Sequence, residues 1–190
     1  MMSARRPGAR LPIDYPARPH GRSATMGRMA SYRFVTEWRL RAQIDQVFAT
    51  IGDIDAWPSW WPMVRKVERV EEGDANRVGE VDRFTFVGKL PYRLAFDMRV
   101  TKREAPTAMS GAATGELEGV GDWTLREDGE WTVVRYVWAI RTTRPWMNAF
   151  APLPFVKEIF ALNHHAVMRS GLAGIRRRLG GVDGSYSRLD

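Results

Sequence analysis

FVKEIFALNHHAVMRSGLAGIRRRL, residues 155–179, decides the fold. Val156, Phe160, His164, Val167, Met168, Gly171, Leu172, Ile175 and Leu179 recur at i, i+3/i+4 and i+7 spacing, which predicts one amphipathic helix with an apolar stripe. Lys157, Glu158, His165, Arg169, Arg176 and Arg177 fall mostly on the other side. Pro152 and Pro154 bound the start, Arg176, Arg177 and Arg178 stand where the helix dipole favours cations, and Gly180-Gly181 ends it. At about 25 residues the stretch is twice the usual helix length of roughly 11–12. So long a stripe needs an equally long apolar surface to lie on.

The preceding chain supplies one. Ser31 to Arg41 alternates Tyr32, Phe34, Thr36, Trp38 and Leu40 with polar positions, the signature of a half-buried strand. Ala42 to Ile51 changes to helical spacing through Ile44, Val47, Phe48 and Ile51, and a second short helix is expected over Asp55–Trp61. Pro58 and Pro62 keep that piece short. From Val64 onward the pattern is strand: Val64–Glu72, Gly79–Val87, Pro91–Glu104, Thr107–Glu116, Glu118–Arg126 and Trp131–Thr143. Short connections make neighbours antiparallel. The order predicts an α+β protein in which a curved antiparallel sheet of six to seven strands wraps around the long C-terminal helix, with two short helices after strand 1.

Composition narrows the function classes. The 190 residues are 44% hydrophobic, enough for one domain with a sizeable core, expected over residues 31–180 with residues 181–190 as a tail. Cysteine is absent, which removes disulfides, thiolate metal sites and Cys nucleophiles and fits a cytoplasmic address. No apolar run approaches the roughly 20 residues of a membrane helix. Residues 1–28 carry six arginines against the single acid Asp14, so most of the +7 charge belongs to a Pro- and Gly-rich leader read as disordered. Met26 and Met29 stand just before the first patterned segment as candidate natural starts. The remainder is nearly neutral, which argues against nucleic acid as a partner.

Several stretches together resemble one superfamily. They are AQIDQVF (42–48) opening a helix, Asp53 followed by WPSWWP (57–62), GDWTL (121–125) and TVVRYVW (132–138) as a hairpin, and FALNHHAVM (160–168) with Gly171 and Leu172. The chain is similar over about Ser31 to Gly180 to the START-like (SRPBCC) superfamily, in particular to bacterial members labelled polyketide cyclase/dehydrase-like. The resemblance implies the helix-grip fold and a deep apolar cavity between sheet and final helix. Members carry lipids, bind hormones, cyclise polyketides or serve as subunits, and homodimers are common among them, so the resemblance implies no one activity.

The residues themselves leave two readings of the interior. Ala108–Gly115, Gly171 and Gly174 occupy little volume, opposite Phe84, Phe96, Met98, Trp123, Tyr136, Trp138, Phe160 and Met168. Large against small either interdigitates into a full core or leaves an aromatic- and Met-lined pocket. His164 lies on the apolar stripe between Phe160 and Met168, so its imidazole is expected to point inward. There it either hydrogen-bonds a ligand carbonyl, moves a proton, or is an ordinary core histidine. Tyr136, Asp82, Thr36 and Asn163 are the candidates to share its site; if a polyketide is cyclised or dehydrated, His164 is the catalytic candidate, with Tyr136 or Asp82 exchanging protons beside it.

Other chemistries lack their residues. His164 and His165 diverge by ~100° on a helix and have no further ligands, so no metal is expected. Neither GxxxxGK[ST], GxGxxG nor GxSxG occurs, and no cofactor is expected. Residues 115–121 carry glycines but read as a loop or bulge before a strand. Trp57, Trp60 and Trp61 either plug one end of the core or present a lid or interaction surface. The expectation is a binder of a small hydrophobic molecule of lipid, polyketide or aromatic type, with a polyketide cyclase or dehydratase as the alternative.

Overall fold

The computed structural model describes residues 31–88, 93–144 and 155–190. The leader, residues 1–28, lies outside the described residues, as do Pro91 and Tyr92 of the expected Pro91–Glu104 strand. Strand β1 spans Ser31–Leu40, and helix α1 (Ile44–Gly52), a 3-10 turn (Ile54–Ala56) and helix α2 (Trp57–Trp60) follow. Six strands come next: β2 Val64–Glu71, β3 Val81–Val87, β4 Arg93–Glu104, β5 Ala108–Gly115, β6 Leu117–Asp128 and β7 Trp131–Thr142. Helix α3 covers Val156–Arg178, and a last strand, β8, covers Gly184–Arg188.

The sheet has eight strands in the order β2-β3-β4-β5-β6-β7-β1-β8, every neighbour antiparallel. This corrects the expected six to seven. The added strand lies in the segment read as a tail. Its sequence GSYSR holds one aromatic side chain and no aliphatic one, too little for an apolar alternation to register. It pairs with β1 from Thr36↔Arg188 to Leu40↔Gly184. Residues 115–121 are likewise not a loop: β5 and β6 are separated by Glu116 alone, and β6 runs in unbroken register with β7 through Gly119 and Gly121.

Alternation fails at one place in β4. Val100 pairs with Gly111 but Lys102 pairs with Ser110, so Thr101 is an extra residue in the strand. An extra residue reverses the inward parity beyond it. Leu94, Phe96, Met98 and Val100 face the interior before the bulge, and Arg103 faces it afterwards, half-buried between exposed Lys102 and Glu104.

Helix α3 lies on the concave face and buries Val156, Ala161, Met168, Leu172 and Ile175. Close approach explains its glycines. A Cβ on Gly171 would stand 2.6 Å from the Trp61 ring, and one on Gly174 would overlap the Trp60 carbonyl oxygen. At this end small and large side chains interdigitate, as the first reading of the interior had it. Trp57, Trp60 and Trp61 are all buried, so they are not an exposed interaction surface. Trp57 Nε1 donates to Ile51 O at 2.8 Å and Trp61 Nε1 to Val167 O at 2.9 Å, whereas the buried Trp60 Nε1 has no hydrogen-bond partner among the described residues.

Candidate functional site

Further along α3 the interior stays open. A cavity of about 150 Å³ lies between the helix and strands β3 to β7. Phe84, Phe96, Met98, Trp123, Tyr136, Trp138, Phe160, His164 and Met168 all line it, so the nine residues singled out from sequence share one wall system. Aromatic stacking organises that wall. Phe84, Phe86 and Phe96 stack at 5.7–5.9 Å, and Tyr136 stacks on Trp123 at 4.1 Å. An apolar cavity of roughly 150 Å³ accepts a benzene-sized guest. Drug-sized ligands usually occupy roughly 300–1,000 Å³, so a larger occupant requires wall side chains to turn aside.

Polar groups are sparse in this wall: His164, Tyr136, Asn163, Ser110 and Arg103. The His164 ring stacks on Phe34 at 4.5 Å, with the Tyr136 ring 6.4 Å away. Its Nε2 is buried with no hydrogen-bond partner among the described residues. Burial, and then the neighbouring His165, push the His164 pKa down to about 3, while Asp190 opposes them. The imidazole is therefore neutral near pH 7. Burial, and then Asp122, raise the Tyr136 phenol, which stays protonated.

Two other candidates stand elsewhere. Asp82 does not line the cavity. Its Oδ1 accepts from Arg69 Nε at 2.7 Å, within a network that joins Arg69 and Arg77 to Asp55 and Glu80. Buried there, its carboxyl is pushed up to about 6 despite the Arg69 bond. Thr36 is buried on β1 but is also absent from the wall. The outward assignment of His165 is corrected too: it is only 2 % exposed. Strand β8 folds beside it, the Tyr186 hydroxyl hydrogen-bonds Nδ1, and Asp190 lies 3.3 Å from Nε2. Burial pushes Tyr186 up to about 12 and His165 below its ordinary value. The consistent proton placement has the phenol donating to Nδ1 and Nε2–H donating to the carboxylate.

Sequence reasoning missed Phe34, Trp57, Trp61 and Arg103 in the wall. Phe34 follows from the β1 alternation; Arg103 does not, because the bulge that turns it inward leaves no periodic trace. Among the described residues no group of three or more His, Asp or Glu side chains is placed to hold a metal ion. No helix among them is long and apolar enough to cross a membrane.

A curved antiparallel sheet gripping a long helix over an apolar cavity is the architecture of the START-like superfamily. The chain belongs to the family described as polyketide cyclase / dehydrase and lipid transport, whose sequence profile matches residues 31–180. No curated protein matches the sequence. Among solved structures the fold is similar to TTHA0849 from Thermus thermophilus, at 15% identity and TM-score 0.63, covering 77% of this chain and 99% of that one. A START superfamily protein from Mycobacterium smegmatis matches at 14% identity and TM-score 0.61, covering 80% and 98%. The di-domain ARO/CYC BexL from the BE-7585A biosynthetic pathway matches at 13% identity and TM-score 0.64, covering 79% of this chain and 50% of that one. At such identities the likeness is one of fold.

Proposed function

We propose that the protein binds a small hydrophobic molecule in this cavity and releases it unchanged. The observation that carries the reading is the polar inventory of the wall: an aromatic enclosure in which a neutral His164 has a buried Nε2 with no partner among the described residues. A buried polar atom without a partner is costly, and a ligand hydroxyl or carbonyl meeting the ring would remove that cost.

The second reading is a polyketide cyclase or dehydratase, favoured by the family description and by His164 and Tyr136 sharing a wall. Its weakness is basicity. A general base works best with a pKa near the working pH, and His164 is held at about 3. In that reading the neutral imidazole and the phenol act by hydrogen-bonding a ketone.

The test is native mass spectrometry of the purified protein with organic extraction, followed by melting curves with fatty acids, sterols and aromatic polyketides. A ligand at about 100 times its dissociation constant contributes about 2.7 kcal/mol, worth about 5–10 °C in a chain of this size. No retained molecule and no rise with any compound overturns the reading. A recovered compound of altered mass moves the protein to the catalytic class.

A further inference from the structure

We propose that the cavity takes a small monocarboxylic acid, its carboxylate seated on the Arg103 guanidinium and its apolar body among the aromatic rings. This rests on the ligand-binding reading above and names the ligand's class.

Among the described residues Arg103 is the one charged side chain in the cavity wall. Two local devices bring it there. The bulge at Thr101 turns it from the outer face of β4 to the inner one. Gly52, at the end of α1, leaves room for its head, since a Cβ there would stand 2.6 Å from Nη2.

Its partners among the described residues leave most of its donors free. Nη1 donates to Gly52 O at 3.1 Å, and the guanidinium carbon lies 5.4 Å from the centroid of the Phe48 ring. A guanidinium has five N–H donors in a planar fork that matches a carboxylate. No carboxylate among the described residues is within ion-pair distance of it. The nearby Glu80 is paired with Arg77 and Arg69 instead. Burial, and then repulsion by Arg77, lower the Arg103 pKa, although Glu80 and Asp53 oppose this. An anion arriving at that head relieves both costs. The cavity of about 150 Å³ limits the body to one ring or a short chain.

Two matched pairs test this by isothermal titration calorimetry of the full chain: 3-phenylpropanoate against 3-phenylpropanamide, and octanoate against octanamide. The pairs distinguish an aryl from an alkyl body, and each amide keeps the shape while removing the charge. At least one acid should bind about tenfold or more tightly than its amide. In Arg103→Gln, which removes the charge but keeps a polar side chain, that acid's affinity should fall to the level of the amide with the melting temperature retained.

Equal binding of acid and amide by the wild-type protein overturns the proposal, as does a preference that survives Arg103→Gln. If that variant does not fold, the wild-type comparison decides alone. Amides that bind without any acid preference leave the ligand-binding reading standing and defeat only this inference. If neither acids nor amides bind and the wider melting panel is also silent, both fall together.

Discussion

At the scale of one residue, His164 makes the stability of the fold depend on pH. Charging its ring would place an imidazolium against the face of Phe34 with little water to solvate it. An unfolded histidine titrates near 6.5, and the folded one titrates at about 3. Between those values the unfolded chain holds more protons, so stability falls as pH drops from about 6.5 toward about 3. The slope for this one group approaches about 1.4 kcal/mol per pH unit. His164→Leu removes that contribution, and its melting temperature should fall less steeply than that of the wild type between pH 6.5 and 4. Parallel pH profiles would show that the ring is not buried in its neutral form. The same substitution at pH 7.5 separates function from packing. Retained melting with weakened ligand binding assigns His164 to the ligand, and a clear loss of melting temperature assigns it to the core.

At the scale of an element, β8 is a clasp on the outer flank of α3. It adds main-chain pairing to β1, carries Tyr186 onto His165, and leads to Asp190, which accepts from Val35 N–H at 3.0 Å. Tyr186→Phe leaves Nδ1 of the buried His165 without its donor, which costs about 1–3 kcal/mol. Amide exchange at residues 184–188 should accelerate more than exchange in β6 and β7; uniform acceleration would mean that β8 is not an independent latch. Burial alone would raise the Asp190 carboxyl, but the Val35 and His165 hydrogen bonds hold it below the ordinary range. A depressed carboxyl contributes stability above its unfolded value of about 3.9 and loses it as pH falls further, so the clasp loosens at the acid end. This element was not legible in the sequence. GSYSR has no period, and the burial of His165 depends on a strand that returns from beyond the helix. By contrast, β1, β7 and α3 each bury a regular stripe, and regular stripes can be read. Arg103 shows the same limit inside a readable strand, because a single inserted residue reverses parity without altering composition.

At the scale of the molecule, the expectation of a curved sheet around one long helix followed from element order, and the wall of the cavity followed from large side chains facing small ones. What sequence could not apportion is how much of that volume stays open. Gly171 and Gly174 are filled by tryptophans, whereas the region beside Phe160, His164 and Met168 is not. Those tryptophans have a further consequence. Trp123, Trp38, Trp61, Trp57 and Trp60 form a chain with successive ring centroids 4.9–6.3 Å apart. Indoles this close exchange excitation before they emit, so the chain should behave optically as one chromophore with strongly depolarised fluorescence. Trp123, Trp61 and Trp57 touch the cavity, and an occupant that quenches any one of them drains the light absorbed by all five. Emission should therefore fall further than one tryptophan's share when the cavity fills, and its anisotropy should rise as transfer is cut short.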